Sequence, residues 1–231
     1  MDRREIDNML LQLQLRSLRQ INRYFGGNRA YEWIYQRLQP PPEGEITVLD
    51  LCTGSGDHPR YLLERNPRIR LIATDFQAKT LRTAQQCLGD TSAQCIQTDV
   101  LRLPFKDHSI DFVLCSLALH HFSDENAKLV LKEIQRVARL GGAVIDLTRG
   151  IVAYLSVWLL TTLWMRDPYT VHDGRASVRA AFTPYELVQL AVHSEWTNCW
   201  HLNLPWFRQA IGFRLLTMNT PRSKLTGYLD Y

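Results

Sequence analysis

Small, acidic and polar residues follow the first strand-like run of the sequence, at 46–51, and could hold a charged ligand. In the segment 50–56 (DLCTGSG) the glycines let the backbone approach a ligand closely before a helix begins. The free N–H groups at the start of that helix would attract an anion, and Asp50 could receive a cation. The segment predicts a site for a molecule with both a carboxylate and an ammonium group, although a tight strand-to-helix turn is the ordinary alternative.

The same segment argues against two common phosphate-binding motifs. A dinucleotide fingerprint requires a third glycine three residues after the second, and Pro59 stands at that position. The Gly-Lys-Ser/Thr step of a phosphate-cradling P-loop does not occur in the sequence.

Acidic residues also end the next two strand-like runs, 70–74 and 94–97. Asp75 could accept hydrogen bonds from both hydroxyls of a ribose, and Phe76 offers a flat apolar face to a base. Asp99 could accept a hydrogen bond from an adenine amino group. Taken singly, Asp75 is typical of a helix N-cap, Phe76 of a core aromatic residue and Asp99 of an exposed acidic residue in a loop. In order along the chain, they match the amino-acid, ribose and adenine parts of S-adenosylmethionine.

Three further side chains could move a proton. His120 and His121 follow the fourth strand-like run, and Asp146 lies near the end of the fifth. Histidine suits proton removal near neutral pH, and a carboxylate could orient the imidazole or hold a substrate hydroxyl. The alternatives are a packing or cofactor-wall role for the histidines and an ion pair between Asp146 and Arg149.

The elements that must position these residues alternate along the chain. Short apolar runs predict strands, and amphipathic stretches predict helices, the longest at 125–140 and ended by Gly141 and Gly142. Continuous apolar strands that alternate with helices are typical of a doubly wound parallel sheet covered on both faces. Ligands bind at the carboxyl ends of such strands, where all the candidate residues fall. The strands are predicted at 46–51, 70–74, 94–97, 110–115 and 143–147, and the other helices of this region at 59–65 and 78–88.

The two ends of the chain differ from this pattern. Helices predicted at 5–23 and 28–38 stop at three prolines, which indicates a helical N-terminal cap over 1–42 and a main domain over 43–231. The apolar window 151–165 is shorter than the about 20 residues of a membrane span and predicts a buried or interfacial helix. Strand-like segments at 197–204 and 208–218 predict an antiparallel hairpin at the sheet edge.

Composition narrows the class of protein. The 231 residues are 45% apolar and 22% charged, which excludes a disordered or collagen-like chain. The net charge of +4 comes from dispersed Lys and Arg, so no nucleic-acid partner is expected. Five cysteines without CxxC spacing predict neither a disulfide framework nor a metal site. The charged N-terminus lacks a signal peptide's apolar core, and a cytoplasmic protein is expected.

These motifs together resemble the class I S-adenosylmethionine-dependent methyltransferases, especially the small-molecule, UbiE-like group. The resemblance covers about 46–149 and implies a Rossmann-like, seven-stranded, mostly parallel α/β sheet whose last strand is antiparallel. It implies S-adenosylmethionine as cofactor and S-adenosylhomocysteine as product. The family usually has glycine where Cys52 stands, so the thiol is expected to narrow the site. The segments that carry the resemblance are 48–56, 73–75, 98–105, 111–116, 119–122 and 137–142.

The resemblance also implies roles for residues. Asp50, Gly54 and Gly56 would line the methionine part, and Asp99 with Val100 the adenine. The segment 150–182 would be a lid or insertion that caps the substrate. The full cofactor set is Asp50, Leu51, Thr53, Gly54, Gly56, Asp75, Phe76, Asp99, Val100 and Ser116, and the candidate substrate contacts are Tyr24, Trp158, His172, Asp173 and Arg175.

The favoured function is O-methylation of an aromatic or lipophilic hydroxyl, with His120, His121 and Asp146 as the catalytic candidates. The alternatives are C-methylation of a quinone-type precursor and a cofactor-binding protein without catalysis. The partner is expected to be a small-molecule acceptor, with peripheral membrane contact through the apolar 151–165 helix as a weaker option. A monomer or a homodimer is expected.

Overall fold

A seven-stranded sheet organises the chain in the computed structural model, which describes residues 8–164 and 168–215, without the side chains of residues 8–14, 160 and 163–170. The strand order is β3-β2-β1-β4-β5-β7-β6. The first five strands pair in parallel, and β7 is antiparallel to both of its neighbours, β5 and β6. This confirms the predicted fold class and the C-terminal hairpin, except that residues 216–218 lie outside the described part. The strands are β1 (Ile46–Leu51), β2 (Ile69–Asp75), β3 (Gln94–Gln97), β4 (Ile110–Ser116), β5 (Ala138–Leu147), β6 (Cys199–Leu204) and β7 (Arg208–Arg214).

Helices cover both faces of the sheet. Apolar side chains of α5 and α8 pack on one face, and those of α2 and α3 pack on the other. This layering explains why the central strands are apolar on both sides. The helices are α1 (Asn8–Tyr24), α2 (Gly27–Arg37), α3 (Asp57–Arg65), α4 (Ala78–Leu88), α5 (Asp124–Val137), α6 (Ile151–Trp164), α7 (Pro168–Ala180) and α8 (Pro184–His193).

The predicted end of the long helix at Gly141 and Gly142 is wrong. Helix α5 ends at Val137, and both glycines lie inside β5. A Cβ on Gly141 would lie 2.5 Å from the carbonyl oxygen of Phe213, and one on Gly142 would lie 2.7 Å from Cγ2 of Ile134. The glycines therefore allow β5 to pack closely against β7 and α5, which explains them without a helix end.

The N-terminal helices are packed against the sheet. Tyr31, Ile34 and Tyr35 of α2 are buried in one apolar cluster with β1. The turn after α1 rests on the β6–β7 turn, because the rings of Phe25 and Trp206 meet edge-on at 5.1 Å. The predicted helices at 5–23 and 28–38 are thus present, with residues 5–7 outside the described part.

The segment 150–182 forms α6 and α7, which pack against each other. Arg175 of α7 donates hydrogen bonds to the hydroxyls of Thr161 and Thr162 at 3.3 and 2.9 Å. Helix α7 also contacts the short 3-10 helix Leu119–His121 that follows β4. No helix in the described part of the chain is long and apolar enough to cross a membrane. One face of α6 exposes the apolar side chains of Ile151, Val152, Leu155, Trp158 and Leu159.

Candidate functional site

The loop after β1 is held in an unusual backbone conformation. Cys52, Gly54 and Gly56 have φ angles of +54°, +58° and +77°, in the left-handed region that favours glycine. The N–H of Thr53 donates to the carbonyl of Thr74 at 2.8 Å, which ties the loop to β2. A Cβ on Gly54 would meet no atom within 4 Å, so this glycine borders open space. The left-handed φ of Cys52 explains why glycine is usual at this position in the methyltransferase family that the sequence resembles.

The start of α3 is covered by α1. Gly56 is the N-cap of α3 and makes no side-chain capping bond. Asn22 of α1 donates to Oδ2 of Asp57 at 3.1 Å, and Arg19 donates to the carbonyl of Ser55 at 3.3 Å. The N-terminal helices therefore help to order the glycine loop, a role that the sequence analysis did not assign.

Asp50 lies at the end of β1 and is only 2% exposed. The hydroxyl of Tyr31 donates to its Oδ1 at 2.6 Å, whereas Oδ2 has no hydrogen-bond partner among the described residues. Burial raises the pKa of Asp50 to about 7. A buried carboxylate with one unpartnered oxygen is suited to a cationic group, as the sequence predicts. The sequence does not reveal the role of Tyr31, because an aromatic residue on an amphipathic helix is typical of a core position.

Asp75 joins the end of β2 to the glycine loop. Its Oδ2 accepts a hydrogen bond from the N–H of Gly54 at 3.2 Å, and its Oδ1 accepts one from the N–H of Gln77 at 2.9 Å. Burial raises the pKa of this carboxyl. Each oxygen keeps a second lone pair that could accept from a ribose hydroxyl. The neighbouring Phe76 is 65% exposed, so its ring is available to a base.

The remaining cofactor candidates border this region. Asp99 is exposed, and its Oδ1 accepts from the N–H of Leu101 at 2.9 Å. Val100 is buried, and Ser116 is half-buried at the end of β4. Leu51 is fully buried in the core, so only its backbone is available to a ligand.

His120 and Asp146 form a buried pair at the ends of β4 and β5. Nδ1 of His120 lies 2.6 Å from Oδ1 of Asp146, and the backbone N–H of His120 donates to Oδ2 at 2.8 Å. The N–H of Leu147 also donates to Oδ1, at 2.8 Å. Three contacts thus fix the carboxylate, and the carboxylate fixes the imidazole. Arg149 instead pairs with Glu186, so the alternative of an Asp146–Arg149 ion pair is wrong.

His121 is exposed beside this pair. Its ring centroid lies 4.1 Å from that of His120, with the two planes tilted by 48°. Among the described residues, no group of three or more His, Cys, Asp or Glu side chains could hold a metal ion.

The candidate substrate residues lie on three elements. Trp158 of α6 and Arg175 of α7 are brought together, with the guanidinium 5.6 Å from the ring centroid. His172 and Asp173 are exposed on α7. Tyr24 ends α1 and is 70% exposed. The structure therefore brings two of the five candidates together and leaves the other three side chains at the surface.

The residues present fit S-adenosylmethionine. The unpartnered Oδ2 of Asp50 suits an ammonium group, and the space beside Gly54 gives a methionyl chain room. The carboxylate of Asp75 and the exposed ring of Phe76 follow at the next strand end, where ribose and adenine would lie.

Comparisons with known proteins agree with this fit. A family model described as a methyltransferase domain matches residues 48–142. The demethylmenaquinone methyltransferase of Roseiflexus castenholzii is 32% identical over 185 residues, or 75% of this chain and 76% of that protein. The demethylmenaquinone methyltransferase of Deinococcus radiodurans is 36% identical over 100 residues, or 42% of this chain and 41% of that protein. The chain thus spans less than half the length of the Deinococcus relative.

The fold has a solved counterpart. The crystal structure of a SAM-dependent methyltransferase from Aquifex aeolicus has a TM-score of 0.64 and 16% identity, and the match covers 92% of this chain and 100% of that one. The Roseiflexus relative is matched over more than two thirds of both chains, and the strand order and the glycine loop agree with the resemblance. The chain belongs to the class I S-adenosylmethionine-dependent methyltransferases.

Proposed function

We propose that the protein transfers a methyl group from S-adenosylmethionine to a hydroxyl of an aromatic or lipophilic small molecule. The observation that carries this proposal is the buried His120–Asp146 pair, which lies at the same edge of the sheet as the glycine loop. The bound cofactor supplies an electrophilic methyl group on a sulfonium. The protein must then align an acceptor and remove its proton.

The pair is arranged for proton removal. Asp146 engages Nδ1 of His120, so in the neutral imidazole Nδ1 would donate its proton to the carboxylate and Nε2 would be the acceptor. A hydroxyl that approaches Nε2 would lose its proton as its oxygen attacks the methyl group. His121, whose ring adjoins that of His120, is the alternative base.

Apolar and aromatic side chains support a lipophilic acceptor. Helix α7, which packs on the His120 turn, carries Arg175 against the ring of Trp158. Together α6 and α7 would cap the acceptor, with His172 and Asp173 at the outer rim and Tyr24 on the N-terminal side. Trp158, Arg175, His172, Asp173 and Tyr24 remain proposed substrate contacts.

Carbon methylation of a quinone-type precursor is the second candidate. Both relatives described above are named demethylmenaquinone methyltransferases. Loss of a phenol proton also makes the adjacent ring carbons nucleophilic, so the same pair would serve this reaction. The charge distribution still argues against a nucleic-acid acceptor.

Incubation with S-adenosylmethionine and a panel of phenols and hydroquinones tests the proposal. We expect the mass of an acceptor to increase by that of one added methyl group. The NMR spectrum of the product then distinguishes an O-methyl from a C-methyl group. Bound cofactor without methylation of any phenolic acceptor would favour the non-catalytic alternative.

We also propose that α6 contacts an anionic membrane surface, where a lipophilic acceptor would dissolve. Leu155 and Trp158 lie on its exposed apolar face, and the cationic side chains of Arg175 and Arg179 lie beside that helix. An exposed apolar helix face with basic side chains beside it is typical of helices that lie in the membrane interface. We expect Leu155→Glu to reduce co-sedimentation with phosphatidylglycerol vesicles, and the matched variant Leu129→Glu, at an exposed leucine of α5, to leave it unchanged. Equal sedimentation of both variants would contradict this contact.

A further inference from the structure

Tyr31 connects the N-terminal helices to the cofactor site. Its side chain is completely buried, and its hydroxyl lies 2.6 Å from Oδ1 of Asp50. Burial raises the pKa of Tyr31 well above its ordinary value, so the hydroxyl stays protonated and acts as the donor. The bond joins residues 19 positions apart, and Oδ2 of Asp50 has no hydrogen-bond partner among the described residues.

The orientation of the Tyr31 ring is itself fixed. The imidazole of His58, at the start of α3, stacks on it with a centroid distance of 5.2 Å and an interplanar angle of 9°. His58 is buried, and burial lowers its pKa, so the ring is neutral. Two elements thus hold the hydroxyl in place: α2, which carries Tyr31, and the first turn of α3.

We propose that Tyr31 is a positioning residue for the cofactor: its hydrogen bond orients the Asp50 carboxylate so that Oδ2 faces the α-ammonium group of S-adenosylmethionine. This inference rests on the proposed function, because it assigns the ammonium group to Asp50. The Tyr31 hydroxyl contacts Asp50, and we assign it no contact with the cofactor or the reacting atoms. It acts through Asp50 alone.

The hydrogen bond also favours the ionised carboxylate. Burial is the main cause that raises the pKa of Asp50 to about 7, and the hydroxyls of Thr53 and Tyr31 both oppose that rise. The negative charges of Asp57 and Asp75 raise the pKa of Asp50 further, and Cys115 also lies close to this carboxyl. Without the Tyr31 donor, the carboxylate would therefore hold its proton to a higher pH and lose its attraction for an ammonium group.

Binding of two cofactor fragments to Tyr31→Phe tests this role. S-adenosylhomocysteine carries the α-ammonium group, whereas 5′-methylthioadenosine has the same adenosine and sulfur but no amino-acid part. We expect the variant to bind S-adenosylhomocysteine about tenfold more weakly, since the loss of a hydrogen bond to a charged group changes an equilibrium constant by about that factor or more. Its affinity for 5′-methylthioadenosine should equal that of the wild type, and the pH midpoint of S-adenosylhomocysteine binding should move upward.

Tyr35→Phe is the matched control. Tyr35 is buried one turn further along α2, but its ring packs on Phe112, in the core. We expect this variant to bind both compounds as the wild type does. The inference would be overturned if Tyr31→Phe lowered the affinity for both compounds equally, or lowered the affinity for neither. Failure of the wild type to bind S-adenosylhomocysteine would instead overturn the proposed function, and the inference with it.

Discussion

At the scale of single residues, the site depends on side chains that are held by defined hydrogen-bond partners. Asp146 holds the imidazole of His120 through Nδ1 and its backbone N–H, and Tyr31 holds Asp50. The sequence predicted Asp50, Asp75, His120 and Asp146 because each lies at or just after the carboxyl end of a strand, where a parallel sheet binds its ligands. It did not predict Tyr31, because a contact between residues 19 positions apart leaves no local pattern.

Replacement of His120 tests its role as the base. We expect His120→Gln to lower kcat by about a hundred- to ten-thousandfold, the usual range for loss of a general base, while cofactor affinity stays unchanged. Asp146→Asn should also lower kcat, because an amide favours the wrong imidazole tautomer. His193→Gln, at an exposed histidine of α8, is the control and should be fully active. Full activity of His120→Gln in steady-state assays would refute His120 as the base and leave His121, or positioning alone, as the source of catalysis.

The pKa of Asp50 makes cofactor binding depend on pH. Burial raises this pKa from 3.8 to about 7, so the free protein binds a proton here as pH falls below about 7. The ammonium group requires the ionised form, and binding should therefore strengthen as pH rises through 7. Titration calorimetry with S-adenosylhomocysteine should give about tenfold weaker binding near pH 6 than near pH 8. An affinity that is constant over this range would contradict the role of Asp50.

At the scale of elements, strands and helices were predicted where hydrophobic periodicity was clear. The bounds of α4 and β3 match the predicted 78–88 and 94–97. The end of α5 was missed, because two glycines after an amphipathic stretch are typical of a helix C-terminus. Their actual cause is the close packing of β5 against β7 and α5, which is a tertiary contact.

Gly142→Ala tests this explanation of the glycine pair. The added Cβ would lie 2.7 Å from Cγ2 of Ile134 and 3.0 Å from the carbonyl oxygen of Val113, so we expect a loss of about 1–3 kcal/mol in the free energy of unfolding. Gly174→Ala is the control, because Gly174 lies inside α7 and the nearest atom to its added Cβ would be 3.6 Å away. Its free energy of unfolding should increase by about 0.5–1 kcal/mol. Urea denaturation measures both values, and equal stability of the two variants would refute the packing argument.

At the scale of the whole molecule, the N-terminal helices belong to both the core and the site. Helix α2 buries Tyr31, Ile34 and Tyr35 against the sheet, and α1 donates hydrogen bonds to the loop before α3 and to the first residue of α3. The sequence predicted helices here but treated them as a cap, because three prolines separate them from the first strand. Which face of the sheet they cover depends on long-range packing that the local pattern does not contain.

Deletion of residues 1–42 should therefore do more than remove a cap. Each fully buried apolar side chain of α2 contributes about 1.5–3 kcal/mol, so we expect the shortened chain to lose cooperative thermal unfolding. Calorimetry measures the transition with and without S-adenosylhomocysteine. A shortened chain that unfolds at the same temperature as the full chain and binds the compound equally well would show that the helices are dispensable.

The central claim is that the carboxyl ends of β1 and β2 bind S-adenosylmethionine. The most direct test is calorimetric titration of S-adenosylhomocysteine into the wild type, Asp75→Ala and the control Asp107→Ala, whose exposed carboxylate pairs with Arg136. Asp75→Ala removes the proposed ribose acceptor and the hydrogen bond from Gly54. We predict one site per chain in the wild type and the control, and binding at least about tenfold weaker in Asp75→Ala. Equal affinity in all three proteins, or no binding by the wild type, would contradict the claim.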